Sequence, residues 1–171
     1  MGAEKAGGRL LVLGWGNPGR RDDGLGPAII EELARMEIPG VTAESDYQLS
    51  LEAAADLAEA EKAVFVDAAL EGPEPFEVRR LSPSANISFS THAFGPESLL
   101  AVCEEAYRRS PEALLVGVRG YEFDIAEGLT SGAQANSRAA LKLAWAPRLR
   151  PSAISNSYPR TPTSRASGAR W

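Results

Sequence analysis

The chain is predicted to fold as one open α/β domain, a sheet with helices on both faces. Three observations carry that prediction. Two short unbroken apolar runs, "RLLVLG" (9–14) and "KAVFVDAAL" (62–70), have the length and continuity of buried strands. Segments of helical period separate these runs from further strand-like stretches, and alternation of the two kinds is the mark of an α/β sheet. A length of 171 residues suits a single domain.

Taken in order, residues 1–8 read as a loose, small-residue leader, and 9–14 as the first strand. From Asp23 the apolar positions Leu25, Ile29, Ile30, Leu33 and Met36 fall near helical spacing, with a stop before Pro39-Gly40. "VTAES" (41–45) is a second strand, and "SLEAAADLAEAE" (50–61) a helix with Ser50 as its candidate cap. After the strand at 62–70, "PFEVRRL" (75–81) alternates like a more exposed strand. A polar loop, "SPSANISFSTHAFG", carries the only histidine, His92. A helix from about Pro96 to Arg109, a strand run at 112–123 and a helix from about Ser131 to Trp145 complete the body. No internal repeat is visible.

Composition excludes several classes. The chain is 44% hydrophobic and 24% charged, with a net charge of -5 and a pI near 5.0. Such a balance argues against general nucleic-acid binding. Residues 146–171 contain five arginines and no acid, which leaves about -10 on residues 1–145. This Pro/Ser/Arg-rich tail lacks an apolar period and is expected to be disordered. The single Cys103 rules out an internal disulfide, and its helical spacing from Leu99, Leu100 and Tyr107 suggests a buried helix residue rather than a nucleophile. No apolar stretch approaches the ~20 residues of a membrane span. The N-terminus lacks the regions of a secretory signal, so a cytoplasmic protein is expected.

The stretch "GWGNPGRRDDGLG" (14–26) holds the most information. Gly14, Gly16 and Gly19 match the dinucleotide fingerprint literally. In that motif the helix begins at the third glycine and its N–H groups hold a pyrophosphate. Here "PGRR" delays the helix to about Asp22, and two carboxylates stand where an anion would bind. A cation is the better guest.

"GWGNPG" also resembles the opening loop of peptidyl-tRNA hydrolases, but the catalytic histidine of that family is missing from the stretch that follows. A longer match is to the hydrogenase maturation endopeptidases, which trim the C-terminal extension of nickel-iron hydrogenase large subunits. Gly14, Gly16, Asn17, Asp22, Asp23, Gly24 and Gly26 fit the opening of that family. The resemblance continues through "DYQLSLEAAADLAEAEKAVFVDAAL", "STHAFGPESLL" and "LLVGVRGYEFDIAEGLTSGAQAN", and spans residues 9–145. It implies a three-layer α/β/α domain with a mostly parallel, twisted sheet of about five strands, "PFEVRRL" lying at an edge, where an antiparallel strand is also compatible.

The resemblance further implies a metal-dependent, aspartic-type endopeptidase whose partner is a large-subunit precursor. The expected metal ligands are Asp23, Asp67 and His92, and Asn17 is a candidate amide contact to substrate. The metal would be nickel carried by the precursor, with zinc or cadmium able to substitute. No nucleic acid or membrane is expected as a partner. One imidazole and two carboxylates form a mixed N/O set that suits several divalent ions. Binding should weaken as His92 protonates at mildly acidic pH.

Bland roles compete for each residue. Asp22 suits a helix N-cap, worth ~1 kcal/mol, better than ligation. Asp23 could merely complement the helix dipole. Asp67 needs a partner or a site mouth at the end of its apolar strand, and a lone loop histidine is commonly just exposed. Two rival functions stay open, a peptidyl-tRNA hydrolase-like esterase and a non-catalytic nickel-binding hydrogenase assembly protein.

Overall fold

The computed structural model describes residues 8–84 and 94–144. Residues 1–7 of the expected leader, His92 with its neighbours 85–93, Trp145 and the tail 146–171 lie outside the described residues.

The element order is β1 (Leu10–Trp15), a 3₁₀ turn (Arg21–Gly24), α1 (Leu25–Arg35), β2 (Val41–Asp46), α2 (Ala53–Glu59), β3 (Lys62–Ala69), β4 (Phe76–Leu81), α3 (Pro96–Tyr107), β5 (Glu112–Arg119) and α4 (Ser131–Ala144). The five strands form one sheet in the order β2-β1-β3-β5-β4. β1 pairs in parallel with β2 and β3, and β3 with β5, while β4 runs antiparallel to β5 at the edge. The expected α/β architecture and the edge strand are both present.

The unbroken apolar runs are explained by burial on both faces. Leu10 and Val12 of β1, with Val64 and Val66 of β3, face a core that includes Ile29, Ile30 and Leu33 of α1 and Ala133 and Ala140 of α4. Leu11, Leu13 and Phe65 face the opposite core, with Leu57 of α2 and Leu99, Leu100 and Cys103 of α3. Each large buried side chain contributes roughly 1.5–3 kcal/mol. Pro27 sits in the first turn of α1, where its missing N–H has no helical partner to lose.

Three expectations are corrected. Met36, counted with the apolar face of the first helix, lies just beyond α1 and is 45% exposed. The second helix is shorter than 50–61, spanning only Ala53–Glu59. Ser50 precedes it in a tight turn whose hydroxyl accepts the Glu52 N–H at 3.2 Å. Asp22 does not cap a helix. It lies inside the 3₁₀ turn, fully buried, with its carboxylate turned toward another part of the chain.

Candidate functional site

The glycine loop answers first to packing. A Cβ on Gly26, in the opening turn of α1, would strike the Trp15 carbonyl and come within 2.9 Å of the Val66 carbonyl. One on Gly14 would lie 2.8 Å from the Gly26 carbonyl oxygen. These two glycines let the start of α1 press directly on the ends of β1 and β3, beside Asp67. Gly16 has φ +137°, open to glycine but strained for other residues, and a Cβ there would collide with the Asp23 carbonyl. No dinucleotide cradle is needed to explain them.

Asp22 ties this loop to the connection after β5. Its carboxylate accepts the backbone N–H groups of Tyr121 (2.7 Å), Glu122 (3.1 Å) and Thr130 (2.8 Å), and the Thr130 hydroxyl (2.8 Å). Burial alone would raise its pKa. The hydrogen bonds from Thr130, Tyr121 and Glu122 outweigh burial and hold the carboxyl below its ordinary 3.8. The backbone reinforces the tie: Asp22 N–H donates to Glu122, Arg21 N–H to Ala126, and Ala126 N–H to Gly19. Sequence reasoning missed this role. The only local cue was the pair of adjacent acids, since the partners lie about 100 residues downstream.

Asp23 and Asp67 are brought together. Asp67 ends the apolar part of β3 and Asp23 follows the loop leaving β1, so both stand at the carboxyl end of the parallel strands, where α/β folds hold their ligands. Asp23 Oδ2 accepts the Asn17 backbone N–H at 3.0 Å, and Asn17 Oδ1 accepts the Gly19 N–H at 2.9 Å. Among the described residues Asp67 Oδ1 accepts the Ala68 N–H, at 2.8 Å. Burial raises the Asp67 pKa to about 7; the Ala68 bond opposes the rise and the negative charge of Asp23 adds to it. A half-buried carboxylate pushed up beside another carboxylate is an environment that a cation would relieve.

The third expected ligand, His92, lies outside the described residues. Among the described residues no group of three or more His, Cys, Asp or Glu side chains could hold a metal ion. Cys103 is fully buried, its Sγ donates to the Arg109 carbonyl at 3.0 Å, and burial raises its pKa, so it is a packing residue as expected. Clefts lined by described residues flank the glycine loop. One of about 210 Å³ runs between β2 and α2, including Gly14, Asp46 and Asp56; another of about 340 Å³ lies between Pro18, Pro27 and Leu129.

Solved structures share this architecture. The hydrogenase maturating endopeptidase HybD from E. coli superposes with a TM-score of 0.65 at 22% identity, covering 86% of this chain and 94% of its own. The hydrogenase 2 maturation peptidase from a Thaumarchaeota archaeon gives 0.59 at 27%, covering 81% and 96%. The [NiFe] hydrogenase maturation protease HycI from Thermococcus kodakarensis gives 0.64 at 22%, covering 81% and 91%. The chain has the fold of the hydrogenase maturation proteases. The resemblance expected from the sequence is thus matched by the fold across nearly the full length of those proteins. No family model matches the chain, and no curated protein matches it. Among the described residues no helix is long and apolar enough to cross a membrane.

Proposed function

We propose that the chain is a hydrolase, an endopeptidase that removes the C-terminal extension of a nickel-iron hydrogenase large-subunit precursor after nickel insertion. The observation that carries this reading is the coupling of Asp23 and Asp67 at the carboxyl end of the sheet, on the fold of the maturation proteases. In this reading the two carboxylates and His92 hold the precursor's nickel, and zinc or cadmium substitutes in vitro. The cation stabilises the ionised form of Asp67, which otherwise keeps its proton up to about pH 7.

Held there, the metal places one peptide bond beside the site and polarises its carbonyl or a water. Hydrolysis consumes one water: the C–N bond breaks, the acyl carbon gains the water's hydroxyl, and the new amine takes its other proton. Asn17 has its carbonyl oxygen engaged by Gly19, so its amide nitrogen is the group that contacts substrate. Residues 9–145 form the working unit.

The test is cleavage of nickel-loaded and nickel-free precursor, side by side, by the wild type and Asp23→Ala. Shortening of the loaded precursor by the wild type alone is expected. Equal cleavage by Asp23→Ala, or of nickel-free precursor, overturns the reading. Stable binding without shortening would favour a non-catalytic assembly protein.

A further inference from the structure

Seven large hydrophobic side chains are well exposed among the described residues, and their placement is uneven. Tyr47 (67%) and Leu51 (57%) lie in the connection after β2, Leu70 (60%) directly follows β3, and Tyr121 (42%) and Ile125 (90%) follow β5. All five are at the carboxyl end of the parallel strands, around Asp23 and Asp67. The other two, Met36 and Tyr107, end α1 and α3 at the opposite end.

Ile125 is the most exposed of them, and the chain beside it is held firmly. Ala126 N–H and carbonyl both bond to the glycine loop, the Phe123 carbonyl accepts Arg20 Nε at 3.3 Å, and Asp22 secures Tyr121, Glu122 and Thr130. Folding gains nothing from an isoleucine so placed. An apolar side chain on a tethered loop is instead preorganised to enter a pocket on another molecule. Charge narrows what that molecule can be. Besides the buried Asp22, segments 16–24, 47–52, 70–75 and 120–130 carry seven carboxylates, against the guanidinium groups of Arg20 and Arg21 and that of Arg119, which reaches in from the end of β5. All three are engaged within the loops, Arg20 with the Phe123 carbonyl, Arg21 with Glu122 and Arg119 with the Gly72 carbonyl.

We propose that this end of the sheet is a protein-docking face, with Ile125 as its anchor and Leu70, Tyr47 and Leu51 as flanking contacts. Its occupant is a protein that presents an apolar pocket beside a cationic centre. The identity of that protein rests on the reading above: it is the nickel-loaded precursor.

The experiment is calorimetric titration of nickel-loaded large-subunit precursor into the full chain, its Ile125→Asp variant and a Met36→Asp control, with melting temperatures measured on each. Binding should weaken roughly tenfold or more for Ile125→Asp, as for an interface anchor, and stay unchanged for Met36→Asp. The melting temperature of Ile125→Asp should match the wild type. Unchanged affinity for Ile125→Asp, no binding by the wild type, or sedimentation showing that Ile125 instead joins two copies of this chain overturns the proposal. Cleavage, read in the same samples, separates the two ideas. A precursor bound through Ile125 but never shortened keeps the face and removes the protease reading. Cleavage and affinity both indifferent to Ile125 do the reverse.

Discussion

Asp22 and Thr130, 108 residues apart, are joined twice, through the Thr130 N–H and the Thr130 hydroxyl, both at 2.8 Å. With Tyr121 and Glu122 this makes one buried carboxylate the fastening between the glycine loop and the loop after β5. An amide cannot replace it, because its NH₂ would face donors. Asp22→Asn is expected to lower unfolding free energy by roughly 2–3 kcal/mol, the cost of weakened charged hydrogen bonds and unpaired buried N–H groups. Denaturant unfolding reads this directly, and a loss below ~0.5 kcal/mol would contradict the fastening.

Gly26→Ala tests the close approach of α1 to the strand ends. The added methyl meets the Trp15 and Val66 carbonyls, so the helix must shift outward. A destabilisation of about 1–3 kcal/mol is expected, as for other overpacked sites. The same shift moves Asp23 away from Asp67, so precursor cleavage should fall further than stability does. A variant with normal melting and normal cleavage would show the contact to be unimportant.

Asp67 gives the protein a pH signature with a definite sign. Its folded pKa is about 7 against an ordinary 3.8, so between about pH 4 and 7 the folded chain keeps a proton that the unfolded chain releases. This group's stabilising contribution is therefore complete below pH 4 and lost as pH rises through 7. Asp67→Asn removes that loss. Its stability relative to wild type should grow from pH 4 to pH 8 by on the order of 2 kcal/mol, after allowance for partial solvent screening. Thermal melts of both proteins across that range check it, and a constant difference would count against a desolvated Asp67.

Cys103 is fully buried and its thiol pKa is raised by burial. A thiol reagent should leave the native protein unlabelled for hours and react fully in denaturant. Prompt labelling of the folded chain would reopen a role in chemistry.

Much of this was legible in the sequence, for physical reasons that can be named. β1 and β3 are buried on both faces, so apolarity alone marked them, and the alternating "PFEVRRL" marked the edge strand β4. Asp67 could be singled out because an acid ending an apolar run demands an explanation, and Asp23 only through the family resemblance of its glycine loop. The burial of Asp22 could not be read, because its neighbour Asp23 looks the same locally and only the chain from Tyr121 to Thr130 distinguishes them. The exposure of Ile125 was hidden for a similar reason: nothing adjacent to it shows that both flanks are tied to a distant loop.

The deciding experiment compares the intact mass of nickel-loaded precursor after incubation with the wild type and with Asp67→Asn at pH 8. The wild type should release the C-terminal peptide. Asp67→Asn should leave the precursor at full length while melting no lower than the wild type, which separates lost chemistry from lost structure. Full cleavage by a folded Asp67→Asn would show that the Asp23–Asp67 pair does not carry the reaction.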